Sequence, residues 1–232
     1  MTIRRIIPGL LIGLPVLLNA NPSARVILRN VENALTSATT MEVHFSEIFF
    51  WEMTGESHTL QGHLKIKGES RFRIETDDQV LVSDGRTLWT YSRPNHRVLI
   101  DEIDPKDNSL LPRQILFRYT KDYRAVREAD EAVGEVMCHR LVLTSAEASL
   151  IPQVRVWIDP KTWLPKRVEQ TDLDGNRTLF DLRDLRVNEA FDDSLFLFEI
   201  PEGADVIDMR ETGRSKRSGA GRHPSSNHKE TA

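Results

Sequence analysis

From Leu60 to Glu75 the chain alternates apolar and polar residues almost without a break. Leu60, Gly62, Leu64 and Ile66 fall on one side, and Gln61, His63, Lys65 and Lys67 on the other. Phe72 and Ile74 then alternate with Arg71, Arg73 and Glu75. Successive side chains of a strand point to opposite faces, so this pattern commits the segment to a sheet with one dry face and one wet face. The preceding run has the same period: Val43, Phe45, Phe49, Trp51 and Met53 share one side, and Glu42, His44, Ser46 and Glu52 the other. It is less clean, since Glu47 sets an acid on the apolar side and Ile48 and Phe50 set apolar groups on the polar side. Asp84-Gly85 divides Val80-Leu81-Val82 from Leu88-Trp89, and Asp174-Gly175 divides Val168 from Leu179-Phe180. Asp-Gly suits tight hairpins because both residues tolerate positive φ. Pro94-Asn95 and Asp159-Pro160 mark further turns. Run-and-turn rules predict about ten or eleven strands, nearly all antiparallel.

Two segments depart from this period. After Pro22-Ser23, the residues Ile27, Val31, Leu35 and Ala38 recur every three or four positions, which predicts an amphipathic helix over 23–38 with Ser23 as its N-cap. Asp104 to Tyr119 holds Pro105, Pro112 and the apolar Leu110, Leu111, Ile115, Leu116 and Phe117. It predicts an inserted helix near 109–119, too short to stand alone and therefore lying on something. An apolar sheet face needs a cover, and these two helices are the covers the sequence offers. Short helices over so many strands leave either an ordinary packed core or a pocket with apolar walls.

The ends have their own composition. Arg4 and Arg5 precede an uncharged run from Ile6 to Leu18, with small residues at Ala20 and Ala24. This predicts a secretory signal peptide over 1–20. A single folded domain is expected over 21–210. Residues 211–232 lack apolar groups and are rich in Gly, Ser, Arg, Lys and His, which predicts a disordered basic tail. The formal net charge is -4 although both ends are basic, so the body is more acidic than the total. An acidic body argues against nucleic acid as a partner.

No catalytic signature emerges. There is no G-x-S-x-G, no phosphate-binding glycine loop and no convergent zinc-ligand spacing among the seven histidines. The lone Cys138 reads as a small buried hydrophobe. The expectation is a binding protein, not an enzyme, with no cofactor and no metal.

Gly62-His63-Leu64-Lys65-Ile66-Lys67, Arg71-Phe72-Arg73-Ile74-Glu75 and above all Ser83-Asp84-Gly85-Arg86-Thr87-Leu88-Trp89-Thr90-Tyr91 resemble the LolA-type periplasmic outer-membrane lipoprotein carrier family. Ser194 to Gly203 resembles that family's C-terminal strand. The resemblance spans about 21–210 and implies a mainly β fold with some α: an open, incomplete antiparallel β-barrel under a lid of short helices. It implies a monomeric periplasmic carrier, taking lipoprotein acyl chains from an inner-membrane ABC transporter to an outer-membrane receptor. An envelope lipid- or lipoprotein-sensing regulatory domain on the same scaffold is the alternative. The lining expected from phase is Phe45, Phe49, Trp51, Met53, Leu64, Ile66 and Ile74. Trp89 and Tyr91 join it, with Leu88 competing for the inward face, and Leu111 and Ile115 contribute from the lid. The sequence departs from the family where an Arg-Pro pair would follow the Gly62–Lys67 strand: Gly68 and Glu69 stand there, with Arg71 or Arg73 as candidate substitutes for the lid arginine.

Overall fold

The computed structural model describes residues 21–103 and 123–210. The expected signal peptide, inserted helix and basic tail, with Leu111 and Ile115, lie outside the described residues.

Helix α1 (Ala24–Thr36) opens the described chain. Ile27, Val31 and Leu35 are buried along one stripe, as the 3.6-residue period requires. Ser23 is extended, as an N-cap should be, but its hydroxyl makes no capping bond; its carbonyl accepts from the Ile27 amide.

Six strands follow as a meander: β1 (Thr40–Phe50), β2 (Ser57–Lys67), β3 (Arg71–Thr76), β4 (Gln79–Asp84), β5 (Thr87–Ser92) and β6 (Arg97–Glu102). The second half holds β7 (Tyr123–Arg127), β8 (Glu131–Val133), β9 (Val136–Ser145), β10 (Gln153–Ile158), β11 (Pro165–Thr171) and β12 (Arg177–Val187). A short strand, β13 (Asp205–Asp208), comes last. β1 pairs with β12 and so joins the halves into one sheet, ordered β13-β6-β5-β4-β3-β2-β1-β12-β11-β10-β9-β7, with β8 on β9. The path has two free ends, so the barrel is open. The thirteen strands among the described residues exceed the sequence expectation because β8 and β13 are too short to leave a pattern. The β13–β6 pair is parallel and the others are antiparallel.

The turns follow their residues. In the β4–β5 turn Gly85 has φ 99°, and the Asp84 carboxylate accepts from the amides of Arg86 and Thr87. The buried Ser83 hydroxyl accepts from the Gly85 amide and donates to the Ser70 carbonyl. This is the physical content of the Ser-Asp-Gly-x-Thr motif: the Ser83 and Asp84 side chains satisfy the turn amides of Gly85, Arg86 and Thr87. Gly68, in the β2–β3 turn, has φ 67°.

One sheet face, here the inner face, packs on α1. Met41, Ile66, Phe72, Leu141, Leu143, Val154 and Val168 bury against Ile27, Val31 and Leu35. The outer face is covered differently. After β12 the chain makes a 3-10 turn (Asp193–Phe196) and crosses the outer face of β3 to β5 before pairing with β6. Phe196 is buried there with Val80, Val82, Val98 and Ile100. The segment expected as a C-terminal strand is therefore a strap, and the strand itself is β13. Lys67 and Arg71 donate to the Asp193 carboxylate at 2.6 and 2.9 Å, and Arg73 pairs with Glu75. Arg73 also donates to the Leu195 carbonyl at 3.4 Å, so both arginines hold the outer strap, on the face opposite α1.

Candidate functional site

Cross-strand register decides which side chains can meet. Met41, Ile66 and Phe72 form one row on the inner face, deep under α1 and at most 3% exposed. Beyond it, Val43, Leu64, Ile74, Leu81, Thr90 and Leu99 align across β1 to β6. Val43 is buried, Leu64, Ile74, Leu81 and Thr90 are half-buried, and Leu99 is 37% exposed. Further out still, Phe45 lies opposite Gly62 on one side and Leu182 on the other. Any side chain at Gly62 would collide with the Phe45 ring, so this glycine is what lets the ring lie flat on the sheet. Phe49 follows, half-buried, its ring edge-on to Trp51 at 4.5 Å. The inner face thus changes along its strands from a filled core beneath α1 to a half-buried apolar tract.

That tract contains an acid. Glu47 stands between Leu60 and Phe180 on the same face. Burial raises its pKa, with His58 pulling weakly the other way. On the outer face the buried Glu42 is held differently. Burial opposes its charge, yet Arg186 at 2.7 Å, His63 at 2.8 Å and Lys65 at 3.5 Å keep its pKa below the ordinary range. A polar cleft of about 420 Å³ runs beside it, lined mainly by outer-face groups such as His44, His63, Glu75 and Arg183, with Phe45 at its border. His44 and His63 stack there at 4.1 Å.

The residues expected from phase divide into three groups. Phe45, Phe49, Leu64 and Ile74 lie together on the half-buried tract, and Ile66 lies beneath them in the filled core. Trp51 and Met53 do not continue strand β1, which ends at Phe50; they stand in the β1–β2 turn, 40% and 94% exposed. Trp89 and Tyr91 face outward, because Leu88 pairs with Ser83 on the inner face and Trp89 with Val82 on the outer. Their rings pack against Phe198 of the strap at 6.4 and 6.1 Å. Leu81 and Phe180 belong to the inner tract and were absent from the expectation, although their alternation with Val82 and Leu179 on flanking positions carries no face signal of its own. Cys138 is fully buried and its thiol is pushed up by that burial, which agrees with a structural role. Among the described residues no cluster of three or more metal-ligating side chains occurs, and no helix is long and apolar enough to cross a membrane.

A family model described as "Outer membrane lipoprotein carrier protein LolA" matches residues 36–199. An outer-membrane lipoprotein carrier protein of Pseudomonas putida (strain GB-1) is 26% identical over 183 residues, covering 78% of this chain and 87% of its own. A protein of the same name from Pseudomonas aeruginosa (strain UCBPP-PA14) is 26% identical over 201 residues, covering 82% and 91%. Among solved structures, an uncharacterized conserved protein from Thermus thermophilus superposes with a TM-score of 0.50 at 16% identity, over 78% of this chain and 96% of that one.

Proposed function

The chain belongs to the LolA outer-membrane lipoprotein carrier family, and on that premise we propose that it is a non-catalytic periplasmic carrier of lipoprotein acyl chains. In this reading it collects its cargo at an inner-membrane ABC transporter and delivers it to an outer-membrane receptor. One observation carries the reading: Leu64, Ile74 and Leu81 stay in register and half-buried beyond the filled core, beside Phe45. An apolar tract of this kind offers an acyl chain what the membrane offers, about 0.8 kcal/mol per buried methylene. The proposed lining is Phe45, Phe49, Leu64, Ile74, Leu81 and Phe180, with Ile66 as its floor. The proposal leaves out Trp51 and Met53, which stand in the β1–β2 turn, and Trp89 and Tyr91, which face the strap. Export through a cleaved leader at 1–20, and one folded domain over 21–210, belong to the same proposal.

The test is native mass spectrometry of the protein purified without detergent, then mixed with a diacylated lipopeptide. An adduct of acyl mass, weakened by Leu64→Asn while the fold is retained, is the expected result. No adduct with the wild type even after lipopeptide is added would sink the carrier reading and leave a regulatory scaffold in its place.

A further inference from the structure

The end of the molecule farthest along β1 and β2 exposes apolar side chains that neither the core nor the acyl tract uses. Met53 is 94% exposed and Trp51 40% in the β1–β2 turn, and Leu173 is 67% exposed in the β11–β12 turn. The two turns are fastened side by side. The Glu52 amide donates to the Asn176 side-chain oxygen at 3.1 Å, and a Cβ on Gly175 would meet the Glu52 side chain at 3.5 Å. Asp172 fixes the second turn by accepting from the amides of Asp174 and Asn176, both at 2.9 Å. The pair is a built tip that holds Met53 and Leu173 out in water, with Trp51 resting edge-on against Phe49.

The charges around the tip restrict its partner. Glu52, Glu56 and Asp174 are exposed carboxylates beside the apolar residues. The nearby cation Arg177 is turned onto the Phe50 ring, 4.6 Å from its centroid. An anionic bilayer would be repelled at this spot, whereas carboxylates match the ammonium groups of zwitterionic headgroups. Tryptophan favours the boundary between headgroup and hydrocarbon, with its ring amphipathic across it. The tip is also continuous with the acyl tract, since Trp51 contacts Phe49.

We propose that Trp51, Met53 and Leu173 form a tip that inserts into a zwitterionic lipid surface, placing the outer end of the acyl tract at the bilayer interface. The proposal rests on the carrier reading for its purpose, but its contact with lipid is measurable without cargo.

Protein purified from the envelope is floated with phosphatidylcholine–phosphatidylethanolamine vesicles at high salt, which suppresses any attraction of the basic terminus. Wild type floats. The Met53→Glu/Leu173→Glu double variant loses at least about tenfold in partitioning, the equivalent of 1.4 kcal/mol. Its melting temperature and its lipopeptide adduct in native mass spectrometry stay unchanged. Trp51 adds a spectroscopic readout: a blue shift and quenching by brominated lipid, both lost in Trp51→Phe. Wild type that ignores neutral vesicles, or a double variant that floats as well as wild type, overturns the tip. Flotation seen only with native envelope membranes also overturns it, because a membrane protein would then be the docking partner. Tip-dependent flotation without any acyl adduct refutes the carrier and leaves the tip standing; an adduct without flotation does the reverse.

Discussion

Glu47 sits where the alternation of β1 sets an acid among Leu60, Phe180 and the Phe45 ring's neighbours. Its raised pKa means that the folded state holds the proton more tightly than the unfolded chain does. Stability linked to this group is therefore full below the ordinary glutamate range and is lost as pH climbs through the raised native value. Glu47→Gln removes that loss. Thermal melts at pH 8 place the variant above wild type, and the gap closes below about pH 4, where wild-type Glu47 is protonated in both states. A gap that is the same at both pH values would refute the assignment. The sequence marked this acid correctly because β1 keeps a strict period through Glu47. It misplaced Trp89 and Tyr91 because Leu88-Trp89-Thr90-Tyr91 is bulky on both sides, and bulk alone does not say which face meets α1. It misplaced Trp51 and Met53 because apolar spacing continued three residues past the last ladder pair, Phe50–Ser57.

The strap from Asp193 to Ile200 is the element that resolves the Trp89 and Tyr91 ambiguity. Its apolar residues were legible as a strand, but Phe196 and Phe198 anchor it by side-chain packing on β4 and β5, not by a backbone ladder. Alternation reports only that one side of a segment is buried, and a strap satisfies that as well as a strand does. His96 ends the crossing: it has φ 46°, meets the Tyr91 hydroxyl at 3.0 Å and the Glu202 carbonyl at 3.2 Å. The strap makes the outer hydrophobes Val82 and Val98 a second core, so its loss should unfold the first half of the sheet. Phe196→Ala, at a site 1% exposed, is expected to cost about 3–5 kcal/mol. Denaturant titration checks this. Asp193→Ala, which removes only the exposed ion pairs to Lys67 and Arg71, should shift the midpoint little. If the two variants unfold alike, the strap is held by charge and the packing argument fails.

At the scale of the whole molecule, the sheet solves two covering problems by different means. The strap fills the outer face of the first half permanently, and α1 fills the inner face over the Met41–Ile66–Phe72 row and over Leu141, Leu143, Val154 and Val168 of the second half. The tract beyond carries apolar side chains that remain half-buried, so the chain has solvent-facing hydrophobic surface that a ligand can remove. This gives a thermodynamic signature. A ligand that binds only the folded state stabilises it by RT ln(1 + [L]/Kd), about 2.7 kcal/mol at a hundredfold excess over Kd. For a chain of this size each kcal/mol is worth about 2–4 °C in Tm. Adding a diacylated lipopeptide should therefore raise the melting temperature by roughly 5–11 °C at that excess. Leu64→Asn should melt lower than wild type without ligand and gain less from it, because the row it interrupts is both wall and contact. Val82→Ala, beneath the strap, should melt lower but gain as much as wild type, since its cavity lies on the other face. A Val82 variant that also loses the ligand-induced shift would mean that the two faces are one cooperative site, and the division between permanent cover and ligand cover would fall.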